Sequence, residues 1–494
     1  MINLVRNGML VAASGIQGVL REQVKAALSY YRLETESSRG QISRVAVPVR
    51  MWAERPDGSI MFYAGYVPKI CGLLAAHGCA VSSYTRMDRP DTLVYDLSRV
   101  NVHLLRPEQI KMLEAIVAWE GGQVVAGTGA GKSYFCAEVC KLYPTARIVF
   151  AAPTIDTVGT LRDYLAKNCG EEVGQVGGGK RHTRRITVST YDSVTKITDV
   201  ENCDILVVDE VHRAASEEYA KFFSSIQSPR KRFGLTATPE GRSDKAEWMI
   251  EGLFGPVVVD IPYYDSVKTG SVVPLEIVVH VNPYGPDPRI IDAARHQADK
   301  DRVALWMNRD RNALIVRDVA EMQQRLGDPQ TLILVDRTEH LLALQALLPD
   351  YEIALGDTDQ KTIDRINKKT GSAHTLATLA SAKDRERIRR RFETGEARKV
   401  LATGVFTTGV SSNSCGLIAL AAGSGASIAF RQSIGRGSRV EDGKEYAVCL
   451  MWEDTFHRAY HGRAARLITV ARKEGHRITR IPITAGVSTW MPPS

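Results

Sequence analysis

The sequence predicts an α/β fold in which two tandem parallel-sheet lobes follow a small N-terminal α/β domain. Three observations predict it. From about residue 101 to 265, short apolar runs at 123–125, 146–152, 185–191, 204–209 and 232–236 alternate with helical ones. Continuous apolar strands separated by helices are the pattern of a parallel sheet covered on both faces. After a stretch holding Gly270, Pro274, Pro283, Gly285, Pro286 and Pro288, the alternation resumes with strands at 331–335, 352–355, 399–402, 417–421 and 446–450. Before residue 101 the pattern is shorter and mixed. The expected segments are therefore 1–100, 101–265, a connection at 266–290, and 291–494.

In the first segment, strands are expected at 9–13, 44–53 and 59–63, and helices at 21–31 and 67–77. Asp57-Gly58 between apolar runs signals a hairpin. Met9, Leu10, Leu73 and Leu74 are core candidates. The segment carries 12 Lys+Arg against 8 Asp+Glu, a net of +4, and no chemical motif. The whole chain, at 494 residues with 44% hydrophobic and 24% charged, can bury a core in each segment without cross-links. No apolar run reaches the ~18 residues of a membrane span. Arg6 and Asn7 interrupt the only apolar start, so no signal peptide is expected. Eight scattered cysteines, with no Cys-x-x-Cys pair, fit a reducing compartment. Cys136 and Cys140 share a helix face as small buried residues, and Cys71, His77 and Cys79 lack the fourth ligand of a zinc site. A cytoplasmic monomer is the expectation.

The chemistry begins at residues 126–133, Ala-Gly-Thr-Gly-Ala-Gly-Lys-Ser, between the 123–125 strand and a helix over 134–143. In that context a glycine-rich loop turns backbone N–H groups around a polyphosphate at a helix N-terminus. Thr128, Gly129, Ala130 and Gly131 form the cradle, Lys132 reaches the β/γ-phosphates of ATP, and the Ser133 hydroxyl holds Mg²⁺. Downstream, an apolar strand ends in Asp209-Glu210-Val211-His212. Asp209 suits the metal, through its water shell, and Glu210 suits activation of the attacking water. Two adjacent acids at an apolar strand end would be costly without a cation nearby. His212 could bridge by hydrogen bonds to Gly-Leu-Thr-Ala-Thr-Pro at 234–239, where Thr236 and Thr238 can relay a change at the γ-phosphate. In the second half, Gln432-Ser-Ile-Gly-Arg-Gly-Ser-Arg439 places Arg436 and Arg439 three apart on one helix face. Facing a transferring phosphate, such arginines contribute about 10³–10⁵ in rate.

In this order the motifs resemble superfamily 2 helicases and translocases, over about residues 101–455. The resemblance implies two RecA-like lobes with ATP and Mg²⁺ in the cleft between them, and hydrolysis that advances strand-gripping loops. It implies that Arg106 and Gln109 read the adenine, that Gly409 belongs to the nucleotide site, and that Gln432 couples. It assigns nucleic-acid contacts to Pro153 and Thr154 (motif Ia), Thr190 (motif Ic), Arg337 (motif IV) and Thr407 (motif V). Ala126 stands where the family often replaces the first glycine, and Ser411 stands where many members carry Asp or Asn. The Asp-Glu-x-His form and the small N-terminal domain look most like phage UvsW-type helicases, with RecG-like and XPB-like relatives. That group reanneals and migrates branched DNA in replication, recombination and repair. A departure is roughly twenty extra residues within 357–382, either a DNA-contacting loop or an inert excursion.

Net charge of +8 and pI 9.0 fit a polyanionic partner or a merely basic surface. Arg387, Arg389, Arg390 and Arg391 read as a solvated helix face. Residues 457–480, with seven Lys+Arg and one acid, are a candidate phosphate-contacting tail. Arg181, Arg184 and Arg185, beside Gly177-Gly178-Gly179, suit a groove contact. The reading is an ATP-driven DNA motor that remodels forked or branched DNA. An RNA track remains open, as does an annealing or clamp protein in which ATP only switches affinity. Glu210 and both arginines favour a motor. Residues 1–100 either recognise the junction or buttress the first lobe.

Overall fold

The computed structural model describes the chain apart from residues 39–40, 88–92, 128, 215–218, 220–221, 224–225, 227–228, 238–246, 356–357, 359, 371–381, 404–414, 424–437, 439, 441–442, 483–488 and 492–494. The described part divides into two compact units, Met1–Ile261 and Pro262–Ser494. The N-terminal segment and the first lobe thus form one unit rather than two.

In the first unit an eight-stranded sheet runs in the order Lys180–His182, Val173–Gly177, Ile186–Thr190, Ile148–Ala152, Ile205–Val208, Lys231–Thr236, Gly121–Ala126, Val257–Ile261. The first pair is an antiparallel hairpin and every other pair is parallel. Ile148–Ala152 and Ile205–Val208 are buried throughout, as apolar strands covered on both faces must be. Phe135, Val139, Val158 and Leu165 pack from helices Lys132–Leu142 and Ile155–Cys169 against the sheet. Tyr191, Leu206, Val208, Phe223 and Phe254 fill a second cluster. Register fixes the site: Thr190 lies opposite Ala152, Val208 opposite Ala151 and Gly234, and Thr236 opposite Val125. The carboxyl ends of these strands therefore share one edge, where ligands of such sheets bind.

The N-terminal segment adds a five-stranded sheet ordered Trp52–Glu54, Ile60–Tyr63, Leu10–Ser14, Ile2–Asn7, Val81–Arg86. Asp57-Gly58 does join two antiparallel strands. The expected helix at 21–31 stops at Ala27, because Ser29-Tyr30-Tyr31 opens a strand. Among the described residues that strand, Ser29–Ser38, pairs only with Gln41–Arg50, making a two-stranded ribbon outside the sheet. Tyr30 stacks on Trp248 of the first lobe at 5.2 Å, and Lys69 Nζ sits 3.9 Å from the same ring. The Tyr66 hydroxyl donates to the Trp248 carbonyl. At Gly65 a Cβ would lie 2.0 Å from the Glu251 carbonyl oxygen, so only glycine permits this approach. Met9 and Leu74 are buried as expected, and Leu10 and Leu73 are half-buried.

The second unit holds a seven-stranded sheet, parallel throughout, ordered Glu352–Ala354, Lys399–Thr403, Gln330–Val335, Cys415–Leu420, Ala447–Asp454, Leu275–Asn282, Arg477–Ile481. This corrects the expected connection at 266–290. Its flanking prolines and glycines bracket an apolar, β-branched run that is an interior strand. Arg311, 1% exposed, donates from Nε to both carboxylate oxygens of Asp454 at 3.0 Å, and Asn282 Nδ2 donates to Asp454 at 2.8 Å. The extra segment is partly a helix, Gln360–Thr370, whose Ile363 and Ile366 enter the core. The basic tail is a helix, Arg458–Lys473, and an edge strand. Arg463, Arg477 and Arg480 there pair with Asp301, Glu276 and Glu453, so part of its charge is neutralised internally. Arg387, Arg389, Arg390 and Arg391 pair with Asp384, Glu386 and Glu352 around their helix.

A candidate nucleotide site and nucleic-acid edge on the first unit

Strand Gly121–Ala126 leads into the glycine-rich loop, and helix Lys132–Leu142 leaves it. Gly129 and Gly131 take φ of +90° and +83°, open to glycine and strained for other residues. At Gly131 a Cβ would also lie 2.3 Å from Gln109 Nε2 and 2.7 Å from Arg106 Nη2. The glycine thus lets the start of helix Pro107–Ala118 rest on the loop. Gln109 Oε1 accepts the Arg106 N–H at 3.0 Å, and Arg106 Nη2 donates to the Gly129 carbonyl at 3.3 Å. Both expected adenine readers are therefore brought to the phosphate loop. Lys132 Nζ donates to the Ala126 carbonyl at 2.9 Å. A cavity of about 100 Å³ beside it is lined by Lys132, Ser133, Thr157, Thr160, Asp209 and Leu235.

Asp209 follows the last residue of strand Ile205–Val208. Its Oδ1 is buried and makes no hydrogen bond among the described residues. Burial, with Glu210 adjacent, pushes its carboxyl up to about 6, against the pull of Lys132. A carboxylate in this condition, with a hydroxyl across the same cavity, fits a hard cation that prefers oxygen ligands, as Mg²⁺ does. Glu210 is left-handed, φ +51°, an uncommon conformation for a residue with a Cβ. His212 is buried, with Nδ1 3.1 Å from Thr236 Oγ1 and 3.3 Å from Glu210 Oε2. The imidazole is thus hydrogen-bonded to Thr236 and lies beside the Glu210 carboxylate. At Gly234 a Cβ would meet Val211 at 2.7 Å, which accounts for the glycine two residues before Thr236.

Along the same edge, Thr154 caps helix Ile155–Cys169, its Oγ1 accepting the Thr157 N–H at 3.3 Å. Pro153 and Thr190 are half-buried beside it. The turn after Val173–Gly177 has Gly177, Gly178 and Gly179 at φ +122°, +60° and +80°. A Cβ on Gly177 would lie 2.7 Å from Thr190 Oγ1, and one on Gly178 2.4 Å from Ile155 Cδ1. The hairpin therefore lies directly on Thr190 and on Ile155, the residue after Thr154, and presents Lys180 and Arg181 as exposed cations. Sequence reasoning missed this contact, for which the glycine triplet was the available signal. Arg184 and Arg185, by contrast, are held by Glu172 and Glu171.

A family model described as "Type III restriction enzyme, res subunit" matches residues 103–241, from the expected adenine readers through the Thr-Ala-Thr-Pro sequence. The "DNA 3'-5' translocase XPB2" of Sulfurisphaera tokodaii is 28% identical over 370 residues, covering 71% of this chain and 82% of that protein. The "DNA 3'-5' helicase XPB" of Kineococcus radiotolerans is 27% identical over 53% of this chain, which spans 48% of its length. Saccharomyces cerevisiae Dbp5 bound to RNA and ADP BeF3 shares the fold, with TM-score 0.51 and 11% identity over 76% of this chain and 89% of that one. In its motifs and in these matches the chain resembles superfamily 2, the helicases and translocases. The motifs it carries are those of an ATP-hydrolysing enzyme.

Other family positions fall on the second unit. Arg337 is exposed after strand Gln330–Val335, its guanidinium 5.7 Å from the centre of the Trp306 ring. Its motif neighbours have structural partners: Asp336 accepts the Gly423 N–H at 3.0 Å, Glu339 pairs with Arg302 at 2.8 Å, and His340 meets Asn312 at 3.0 Å. Thr128, Thr238, Thr407, Gly409, Gln432, Arg436 and Arg439 lie outside the described residues. No described helix is long and apolar enough to cross a membrane.

Proposed function

We propose that this chain is a superfamily 2 DNA translocase that remodels branched DNA such as forks and four-way junctions. The observation that carries the proposal is the common strand edge. It sets the phosphate loop, the acid pair, Thr236 and the two threonine grips in one row. Lys132 exchanges the Ala126 carbonyl for the terminal phosphates of ATP. Ser133 and Asp209 would hold Mg²⁺, which when bound would neutralise phosphate charge. Glu210 takes the proton of the attacking water. His212 links that acid to Thr236, and through it a change at the γ-phosphate reaches the rest of the edge. Arg436 and Arg439 supply charge to the transition state.

Thr154, Thr190, Lys180 and Arg181, with Pro153, Arg337 and Thr407, hold phosphates in this reading. Such grips carry no sequence information and weaken steeply with salt. The names of the XPB relatives support DNA as the track and 3'–5' as the direction. The test is ATPase rate on single-stranded DNA, duplex, fork, four-way junction and RNA, each at 50 and 200 mM salt. DNA should stimulate more than RNA, branched forms most, and the advantage should shrink with salt. Stronger stimulation by RNA would reassign the track. Nucleotide-dependent binding without displacement of a road-block on DNA would identify an ATP-switched clamp.

A further inference from the structure

Tyr191 directly follows Thr190, the last residue of a strand on the grip edge. Its side chain is 1% exposed. The ring sits edge-on against Tyr219 at 5.0 Å and 80°, and against Phe223 at 5.2 Å and 84°. Its hydroxyl donates to the backbone carbonyl of Asp209, with the Glu210 carbonyl oxygen 3.1 Å away. A buried phenol needs some acceptor. These two are the carbonyls of the catalytic acids.

Among the described residues, few other hydrogen bonds hold the backbone there. The strand ends at Val208, one residue before the pair. Glu210 is left-handed, a state that persists only when neighbours impose it. The Asp209 N–H donates to the Ala151 carbonyl at 2.8 Å, and the Glu210 carbonyl also accepts the Arg213 N–H at 2.9 Å. Among the described residues, Tyr191 is the side chain that grips both peptide units. At its other end it is bonded to Thr190, whose hydroxyl lies beneath the Gly177 turn. A movement of that turn or of Thr190 therefore reaches the Glu210 backbone through one rigid ring.

We infer that Tyr191 is a positioning residue that couples nucleic-acid contact at Thr190 and the 177–181 hairpin to the placement of Glu210. It touches no substrate. The inference rests on the proposed reading of Thr190 and the hairpin as phosphate grips.

The test is Tyr191→Phe, which removes one oxygen and leaves the ring in its seat. ATPase kcat, the KM for ATP and the half-saturating DNA concentration are measured with and without single-stranded DNA. Both half-saturation values should hold. The DNA-stimulated kcat should fall about three- to tenfold, the worth of one hydrogen bond, while the basal rate barely changes. Thr190→Val should do the reverse, raising the DNA concentration required and leaving the plateau. An unchanged ratio of stimulated to basal rate in Tyr191→Phe overturns the inference, and so does an equal loss of both rates, the signature of plain core loosening. Phe223→Leu, which slackens the ring's seat but keeps the hydroxyl, provides a second reading of the same ratio and decides the matter if the first variant does not fold. A wild-type enzyme indifferent to DNA and RNA overturns the proposed function and this inference with it. A stimulated wild type whose ratio survives in both variants overturns the inference alone.

Discussion

Asp209 carries a buried oxygen without a hydrogen-bond partner among the described residues. Such an oxygen costs roughly 1–3 kcal/mol. Its carboxyl titrates near 6 in the folded chain, against an ordinary value of 3.8. Between those values the folded chain keeps a proton that the unfolded chain has released. The stability this group contributes is thus present below about pH 4 and is lost as pH rises through 6. Asp209→Asn, which cannot ionise, should raise the melting temperature of the nucleotide-free protein at pH 7.5 by about 2–4 °C, and by less at pH 5. With nucleotide the sign reverses: wild type should bind Mg²⁺–ATP more tightly at pH 7.5 than at pH 5.5, and the variant should lack that dependence. Equal stabilisation at both pH values in the nucleotide-free melts would mean that the carboxyl is not held up by its surroundings. The same residue illustrates how a binding site is built from an unsatisfied group, with Lys132 only partly relieving it.

Among the elements, the ribbon of Ser29–Ser38 and Gln41–Arg50 is the part of the N-terminal segment left outside its sheet. Ten residues per strand make it about 34 Å long. Its two strands carry Arg32, Arg44 and Arg50 against Glu34 and Glu36. Trp52 Nε1, donating to Ser29 Oγ at 2.9 Å, anchors its base. Replacing residues 34–45 with Asn-Gly keeps the Leu33–Ala46 pair in register under a two-residue turn. Single-strand-stimulated ATPase should stay within about twofold of wild type, while preference for forks and junctions over linear DNA is lost if the ribbon meets the branch. Retained preference would place selectivity elsewhere. Elements of this kind also show what sequence reasoning can reach. The strand, glycine-rich loop and helix, and the acid-ended strand, were readable because each joins a local pattern to a chemical requirement. Strand Leu275–Asn282 was hidden by the prolines and glycines around it. Helix Gln360–Thr370 was hidden by its polar composition, although Ile363 and Ile366 stand at helical spacing. The tyrosine clamp was out of reach because its acceptors lie 18 and 19 residues away, across a fold that places them together.

For the molecule as a whole, the N-terminal segment and the first lobe share cores. Trp248 and Met249 pack with Ile60, Tyr66 and Ile70, while Met9 packs with Leu253 and Phe254. Glu120 also pairs with Arg6 and Arg86. A chain beginning at residue 99 would expose several large apolar side chains, each worth about 1.5–3 kcal/mol when buried. Its melting temperature should fall by about 10 °C or more; a melt within about 3 °C of the full chain would show the segment to be separable. Changes in substrate choice after such a truncation would not isolate recognition, which is why the ribbon is the better target. The second unit differs in how it must be assembled. Its interior strand Leu275–Asn282 pairs on both sides with segments from the far end of the chain, and Asn282 meets Asp454 172 residues later. On the ribosome the first unit has all its strands once Ile261 has emerged and can close its sheet. Leu275–Asn282 must wait, an apolar strand with both edges bare, until residues 447–481 are made. Synthesis of this protein therefore carries a long interval in which the strand is open to wrong pairing, and chaperone demand during translation should centre on the second unit rather than on the ATP-binding one.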